Sequence, residues 1–142
     1  MTPLLPVEFA SIVALVILAH LVGDYLLQTQ WMADNKTSQW SPAIWHGIFY
    51  TIPFTLVTFS IPALLVICIT HILIDRFRLA KYVVWFKNQW VPKSARYAWH
   101  SEANDQGTGY PKKVPAFLSV WLMILADNIL HIIIGVLAVM FF

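Results

Sequence analysis

Long apolar stretches alternate with shorter polar segments along this chain. Windows of mostly apolar residues, each near the ~20 residues that a helix needs to cross a bilayer, occur at 7–30, 42–59, 61–82 and 115–142. The longest polar segment, residues 83–114, connects the third window to the fourth. The pattern predicts an all-α protein, an integral membrane four-helix bundle with a longer connection between helices three and four.

Composition strengthens the membrane interpretation. The 142 residues are 59% hydrophobic and 11% charged, and the mean hydropathy is +0.69, which is more apolar than the surface of a soluble domain allows. The four windows leave no room for a soluble catalytic domain, so we expect a single transmembrane domain over residues 1–142. Residues 1–9 contain no Lys or Arg, so we expect the first window to be retained rather than cleaved as a signal peptide.

Basic residues are distributed asymmetrically about the predicted helices. All of them lie in, or at the ends of, the connections 30–42 and 83–114: Lys36, Arg76, Arg78, Lys81, Lys87, Lys93, Arg96, Lys112 and Lys113. The positive-inside rule therefore predicts cytoplasmic connections and two termini outside the cytoplasm. This charge favours membrane lipid over nucleic acid as the partner, with a homo-oligomer as an open alternative. Residues 81–90 could continue the third helix and then lie along the interface.

Seven histidines and aspartates lie within the apolar windows: His20, Asp24, His46, His71, Asp75, Asp127 and His131. Each would cost at least ~2.5–3.5 kcal/mol in the hydrocarbon region if it faced lipid. The seven side chains are therefore expected to face one another inside the bundle.

Spacing supports one shared site. Three imidazole–carboxylate pairs have a four-residue spacing, which places each pair on one helix face: His20/Asp24, His71/Asp75 and Asp127/His131. Counted from the cytoplasmic helix ends, most of the seven side chains fall at a depth of ~6–18 Å. The sequence predicts a polar site in the cytoplasmic half of the bilayer, with the aspartate nearer the cytoplasm in every pair.

Imidazoles and carboxylates without sulfur are a ligand set for divalent transition metals. We expect one or two ions, with Zn favoured and Mn, Fe or Ni as alternatives, held by the seven side chains. The carboxylates of Asp24, Asp75 and Asp127 are the catalytic candidates, because one of them could accept a proton. A metal-free hydrogen-bonded network or proton relay and a haem site remain the alternatives.

Four blocks of sequence carry a family resemblance: "HLVGDYLLQTQWMADNK" at 20–36, "WHG" at 45–47, "THILIDRFR" at 70–78 and "ADNILH" at 126–131. They resemble a family of small bacterial and phage membrane proteins known as domain of unknown function 3307. The resemblance implies a bacterial inner membrane protein but no established activity, and it does not extend to the connection. The helices bearing His and Asp also resemble, more distantly, inner-membrane proteins assigned as metal-dependent hydrolases.

The leading functional hypothesis is a metal-dependent hydrolase acting on a lipid or lipid-linked phosphate or ester near the cytoplasmic leaflet. Basic residues at the helix ends, Lys36, Arg76 and Arg78, would bind an anionic headgroup. The sequence does not decide that the protein is an enzyme. The alternatives are a metal-ion or proton transporter, and a non-enzymatic membrane adaptor with a structural metal or polar cluster.

Overall fold

The structure, a computed structural model, describes residues 7–142. These residues form six α-helices, and none of them forms a β-strand, which confirms the all-α prediction. The helices are α1 (Val7–Leu21), α2 (Gln30–Asn35), α3 (Trp40–Thr51), α4 (Ile61–Phe77), α5 (Ala80–Lys87) and α6 (Ala116–Phe141). The predicted location of the N-terminus outside the cytoplasm concerns residues 1–6, which lie outside the described residues.

The first apolar window does not form one helix over 7–30. Helix α1 continues into a π-helical turn at Val22–Leu26, and a new helix begins at Gln30. The Thr29 hydroxyl accepts a hydrogen bond from the backbone N–H of Met32, so Thr29 is the N-cap of α2. The polar segment that follows the first window therefore begins with a separate short helix, α2.

The second window, predicted as a helix over 42–59, begins two residues earlier and ends sooner. Helix α3 gives way to a 3₁₀ turn at Ile52–Leu56, with Pro53 in its first positions. Proline has no N–H to donate to the carbonyl one turn earlier, so the α-helical hydrogen-bond pattern cannot continue through it. Pro42 is tolerated because it lies in the first turn of α3.

The third window, predicted over 61–82, is divided by Arg78. Helix α4 ends at Phe77, Arg78 has a left-handed backbone with φ of 50°, and α5 follows from Ala80. A left-handed residue ends an α-helix, so α5 is a separate helix rather than a continuation of α4. The last window, by contrast, forms the single helix α6, within one residue of its predicted bounds.

Two segments are long and apolar enough to cross a membrane, Val7–Leu26 with 20 residues and Ala116–Phe141 with 26. Helices α3 and α4 have 12 and 17 residues. The structure therefore does not confirm four membrane spans, and the four-span bundle stays a prediction.

Large apolar side chains are directed outwards from the long helices. Leu18 on α1, Ile69 on α4 and Ile129 on α6 are each more than half exposed, whereas His20, His46 and His71 are buried. Buried polar side chains and large exposed apolar side chains are both informative departures from an ordinary soluble domain, and extended apolar surfaces mark protein or membrane contacts.

The chain divides into two compact units, and the prediction of one transmembrane domain stays a prediction. The described part of the first unit comprises residues 7–77 and 131–142. Its hydrophobic core is formed by buried side chains from α1, α3, the 3₁₀ turn that follows α3, α4 and the end of α6: Val16, Ala19, Tyr50, Phe54, Ala63, Ile67, Val136 and Ala138. This core lies beside the buried histidines and holds the helices that carry them.

The second unit, Arg78–Leu130, is organised around α5 and the loop that follows it. The Trp85 indole N–H donates to the Tyr97 carbonyl, and the Tyr97 hydroxyl donates to the Gly109 carbonyl. Gly109 has φ of +78°, and a Cβ there would lie 2.0 Å from the Lys81 carbonyl oxygen. Only glycine fits this left-handed close approach, which fixes the loop against α5.

Candidate metal centre

Three elements of the first unit bring the predicted polar residues together. Asp24 lies in the π-helical turn, His46 in the middle of α3, and His71 and Asp75 one turn apart on α4. The wider π-turn changes the direction of Asp24 relative to a regular α-helix, and such turns are frequent at functional sites. Gly23 next to it allows the turn to contact the backbone of Tyr50.

Four donor atoms converge in this cluster. His46 Nε2 lies 2.9 Å from His71 Nε2 and 3.2 Å from both Asp24 Oδ1 and Asp75 Oδ2. His71 Nε2 lies 3.5 Å from Asp24 Oδ1 and 3.2 Å from Asp75 Oδ2. All four atoms lie within 4.8 Å of one another, so the cluster could hold a metal ion. We call these four residues the donor cluster.

The distances can be compared with metal coordination. A tetrahedron with metal–ligand bonds of about 2.1 Å has edges of about 3.4 Å. The five separations measured in the donor cluster range from 2.9 to 3.5 Å, close to this value. Asp24 Oδ1 is buried and accepts no hydrogen bond within the described residues, and a bound cation would satisfy it. Two imidazole nitrogens and two carboxylate oxygens also suit zinc chemically.

His20 lies beside the donor cluster rather than in it. Its Nε2 is 3.6 Å from Asp24 Oδ2, and its Nδ1 is 3.0 Å from the Tyr50 hydroxyl. The Tyr50 ring stacks on His71, with centroids 3.5 Å apart. Tyr50 therefore contacts both histidines, and its hydroxyl fixes which nitrogen of His20 faces Asp24.

His131 contacts two members of the donor cluster. Its Nδ1 lies 3.2 Å from His71 Nδ1, and its Nε2 lies 3.4 Å from Asp75 Oδ1, the oxygen that is not among the four donors. These contacts would suit a residue that orients ligands, and the predicted ligand role of His131 stays a prediction. Asp127 precedes His131 by one turn on α6 and belongs to the second unit, so its predicted ligand role and the second ion stay predictions.

Lys36 contacts the donor cluster directly. Its Nζ lies 2.7 Å from Asp75 Oδ2 and 3.2 Å from His46 Nε2. The ammonium thus provides a positive charge for a buried carboxylate, and the side chain stays 19% exposed, so it marks an open side of the cluster. Sequence reasoning assigned Lys36 to a substrate headgroup and missed its contact with two ligand candidates.

The other two predicted substrate-binding residues have different surroundings. The Arg76 guanidinium donates to the carbonyls of Thr37 and Ser38 and lies 5.3 Å above the Trp40 ring. It therefore holds the connection between α2 and α3. Arg78 belongs to the second unit, where its guanidinium approaches the Met123 sulfur. A substrate role for either arginine stays a prediction.

Comparison with known proteins now places the chain. The family model described as "Protein of unknown function (DUF3307)" matches residues 12–142. The chain belongs to this family. Membership in DUF3307 supplies no activity, and no curated protein and no solved structure matches the chain. The donor cluster is therefore the feature of the chain that indicates a function.

Sequence reasoning missed Tyr50. A single tyrosine in an apolar window attracts no attention, because aromatic residues are ordinary core components. A signal was nevertheless present, since Tyr50 follows His46 by four residues and lies on the same face of α3.

Proposed function

We propose that this protein is a membrane-embedded, metal-dependent hydrolase that cleaves a phosphate or ester bond in a lipid or lipid-linked substrate. The observation that carries the proposal is the convergence of four donor atoms from three elements, with five of their separations between 2.9 and 3.5 Å. We place the protein in the bacterial inner membrane as a multi-pass protein with both termini outside the cytoplasm. The two long apolar helices and the basic connections support that placement.

Three members of the donor cluster are assigned as permanent ligands. His46, His71 and Asp75 are the most buried of the four, with exposures of 0%, 1% and 6%. Two histidines and one carboxylate are a common ligand set of catalytic zinc sites, which leave the fourth position to water or substrate. We therefore favour zinc. A bound ion there would lower the pKa of a water molecule and polarise the substrate oxygen.

Asp24 is assigned as the proton acceptor. Its carboxylate is the most exposed of the donor cluster, at 9%, so it would give up the fourth position to a metal-bound water and accept the proton of that water. Its Oδ1 lies 3.2 Å from His46 Nε2 and 3.5 Å from His71 Nε2, within reach of a water molecule held between those ligands. The hydrogen bond between Tyr50 and His20 presents His20 Nε2 to the other oxygen of Asp24, which keeps the carboxylate oriented.

Lys36 is assigned to the anionic part of the substrate. A metal ion on His46 Nε2 and Asp75 Oδ2 would take the same lone pairs that face the ammonium. The long, partly exposed side chain would then be released at the open side of the cluster. An ammonium in that position is suited to bind a phosphate or carboxylate oxygen of a lipid headgroup.

Replacement of Asp24 by Asn tests the catalytic assignment. We expect Asp24→Asn to keep its metal and lose at least ~100-fold in hydrolysis of p-nitrophenyl phosphate or p-nitrophenyl esters in detergent, because an amide cannot accept the proton. Asp34→Asn is the matched control, since Asp34 lies on α2 with an exposed side chain. Loss of metal together with activity would instead make Asp24 a fourth structural ligand and contradict the proposal.

A second candidate function is proton or metal-ion transport. The nitrogens of His131, His71 and His46 follow one another at 3.2 and 2.9 Å and lead to the Lys36 ammonium, a geometry that suits proton transfer. Proteoliposomes would show proton flux that disappears in Asp75→Asn, with no hydrolysis of the two probes above. Hydrolysis without flux would exclude this candidate.

A further inference from the structure

Helix α5 presents large apolar side chains to the exterior. The set extends from Leu79, the N-cap, to Trp90, three residues past the end of α5, and each member is at least 36% exposed: Leu79, Tyr82, Val83, Phe86 and Trp90. We call this set the aromatic stripe. Ala80 and Val84, on the opposite side of the helix, are buried. Such a distribution is typical of a helix that binds a second apolar surface along its outer side.

Internal contacts fix the direction of the stripe. The Trp85 indole donates to the Tyr97 carbonyl at 3.2 Å, and its ring meets Trp99 edge-on. The Phe86 and Trp90 rings pack edge-to-face, with centroids 6.0 Å apart, and are 57% and 79% exposed. Trp99 thus packs on Trp85 and also on Tyr82, at 4.8 Å between centroids, while Val83, Phe86 and Trp90 stay exposed.

The charge around the aromatic stripe indicates what kind of partner could cover it. Residues 78–115 contain seven basic side chains and two acidic ones. Lys81 and Lys87 lie on α5 itself, with Lys81 Nζ 5.1 Å from the Tyr82 ring centroid. A second copy of α5 would bring like charges together, whereas anionic headgroups would attract both lysines. Tyrosine and tryptophan also prefer the boundary between lipid chains and water.

We propose that α5 lies in the plane of the membrane surface, with the aromatic stripe in the boundary between headgroups and acyl chains. Lys81 and Lys87 then contact the phosphates of anionic lipids. The inference rests on the proposed membrane location of the chain. It assigns α5 as an interfacial lipid-binding helix, distinct from the apolar helices long enough to span.

Spin labels on the full-length protein can measure the immersion of α5. The single cysteine is first removed as Cys68→Ser, and nitroxides are attached in separate variants at Val83→Cys, Leu18→Cys and Glu102→Cys. Val83 lies on the stripe, Leu18 is an exposed residue of a candidate span, and Glu102 is in an exposed loop. Frequent collision of a nitroxide with oxygen shows that the label lies in lipid. Frequent collision with a water-soluble nickel complex shows that it lies in water. The vesicles contain phosphatidylcholine and phosphatidylglycerol.

The expected result places the Val83 label ~5–10 Å below the lipid phosphates, with an oxygen-to-nickel collision ratio about tenfold that of Glu102. In vesicles of phosphatidylcholine alone, the oxygen-to-nickel collision ratio of the Val83 label should fall toward that of the Glu102 label. No fall would overturn the role of the lysines.

Three other results would overturn the proposal, and they separate it from the membrane location. A Val83 label as nickel-accessible as Glu102, with Leu18 in lipid, rejects the interfacial helix and leaves the membrane location intact. If all three labels are exposed to water, both the interfacial helix and the membrane location are rejected. Dipolar broadening at Val83 that persists when labelled protein is diluted with unlabelled lipid identifies a second copy, rather than lipid, as the partner.

Discussion

At the residue scale, Lys36 places a positive charge next to the donor cluster. The Lys36 ammonium contacts His46 Nε2 and Asp75 Oδ2, two of the atoms that we assign to the metal. Lysine and metal ion therefore compete for the same lone pairs, although each of them offsets the cost of burying the carboxylate. The metal affinity of the wild-type protein should include the cost of releasing this side chain.

Replacing Lys36 by Met removes the competitor and preserves most of the side-chain length. We expect Lys36→Met to bind zinc about tenfold more tightly, since a hydrogen bond to a charged group contributes about 1.5–3 kcal/mol. The measurement is a competition titration against a chromophoric chelator. Lys112→Met, an exposed change in the second unit, is the control and should leave the affinity unchanged. Weaker zinc binding in Lys36→Met would show that the ammonium supports the metal instead of opposing it.

Residue identities were the most predictable part of the site, and side-chain roles the least. Periodicity and burial cost alone selected Asp24, His46, His71 and Asp75, because ionisable groups in apolar helices must find one another. The same reasoning placed His20 and His131 among the ligands. Their positions beside the cluster depend on side-chain directions that a four-residue spacing does not determine.

At the element scale, the helix interruptions shape the site. The π-turn at Val22–Leu26 directs Asp24 towards His46, and the left-handed Arg78 ends α4 just beyond Asp75. Neither interruption carries a proline, and the hydropathy windows predicted an unbroken helix through each of them. The 3₁₀ turn at Pro53 was accessible to sequence reasoning, because a missing N–H has a local consequence. Tertiary packing determines the π-turn and the left-handed backbone of Arg78.

Gly23 tests the packing of the π-turn. A Cβ at this position would lie 2.8 Å from both the Tyr50 ring and the Tyr50 carbonyl oxygen, and the backbone atom cannot move cheaply. We expect Gly23→Ala to destabilise the protein by about 1–3 kcal/mol, which a thermal unfolding scan in detergent would show as a lower Tm.

Gly107→Ala provides the comparison for that experiment. Its Cβ would meet only the Asp105 side chain, at 3.1 Å, in an exposed part of the second unit. The change should alter Tm much less than Gly23→Ala does. Equal Tm values for the two variants would mean that close contact between the π-turn and α3 contributes little to stability.

At the scale of the whole molecule, buried ionisable side chains occur together with exposed large apolar ones. Buried histidines and aspartates lie inside the first unit, and large apolar side chains lie outside on the long helices. Composition alone predicted the membrane environment, and the helices Val7–Leu26 and Ala116–Phe141 are long enough to span it. The number of spans could not be settled by hydropathy, because α3 and α4 are apolar but short.

The two units carry different features of the molecule. The first carries the donor cluster, and the second carries α5 with its aromatic stripe and most of the basic residues. Family membership covers both units without supplying an activity. A function for the whole chain therefore depends on whether the donor cluster binds a metal.

Metal content tests that central claim most directly. Full-length protein purified without chelators should contain about one equivalent of zinc per chain by mass spectrometry of the elements, as a tetrahedral site requires. His71→Ala should lose it, and His100→Ala, which changes the one histidine outside the apolar windows, should keep it. Metal-free wild-type protein, or equal metal in the two variants, would contradict the account.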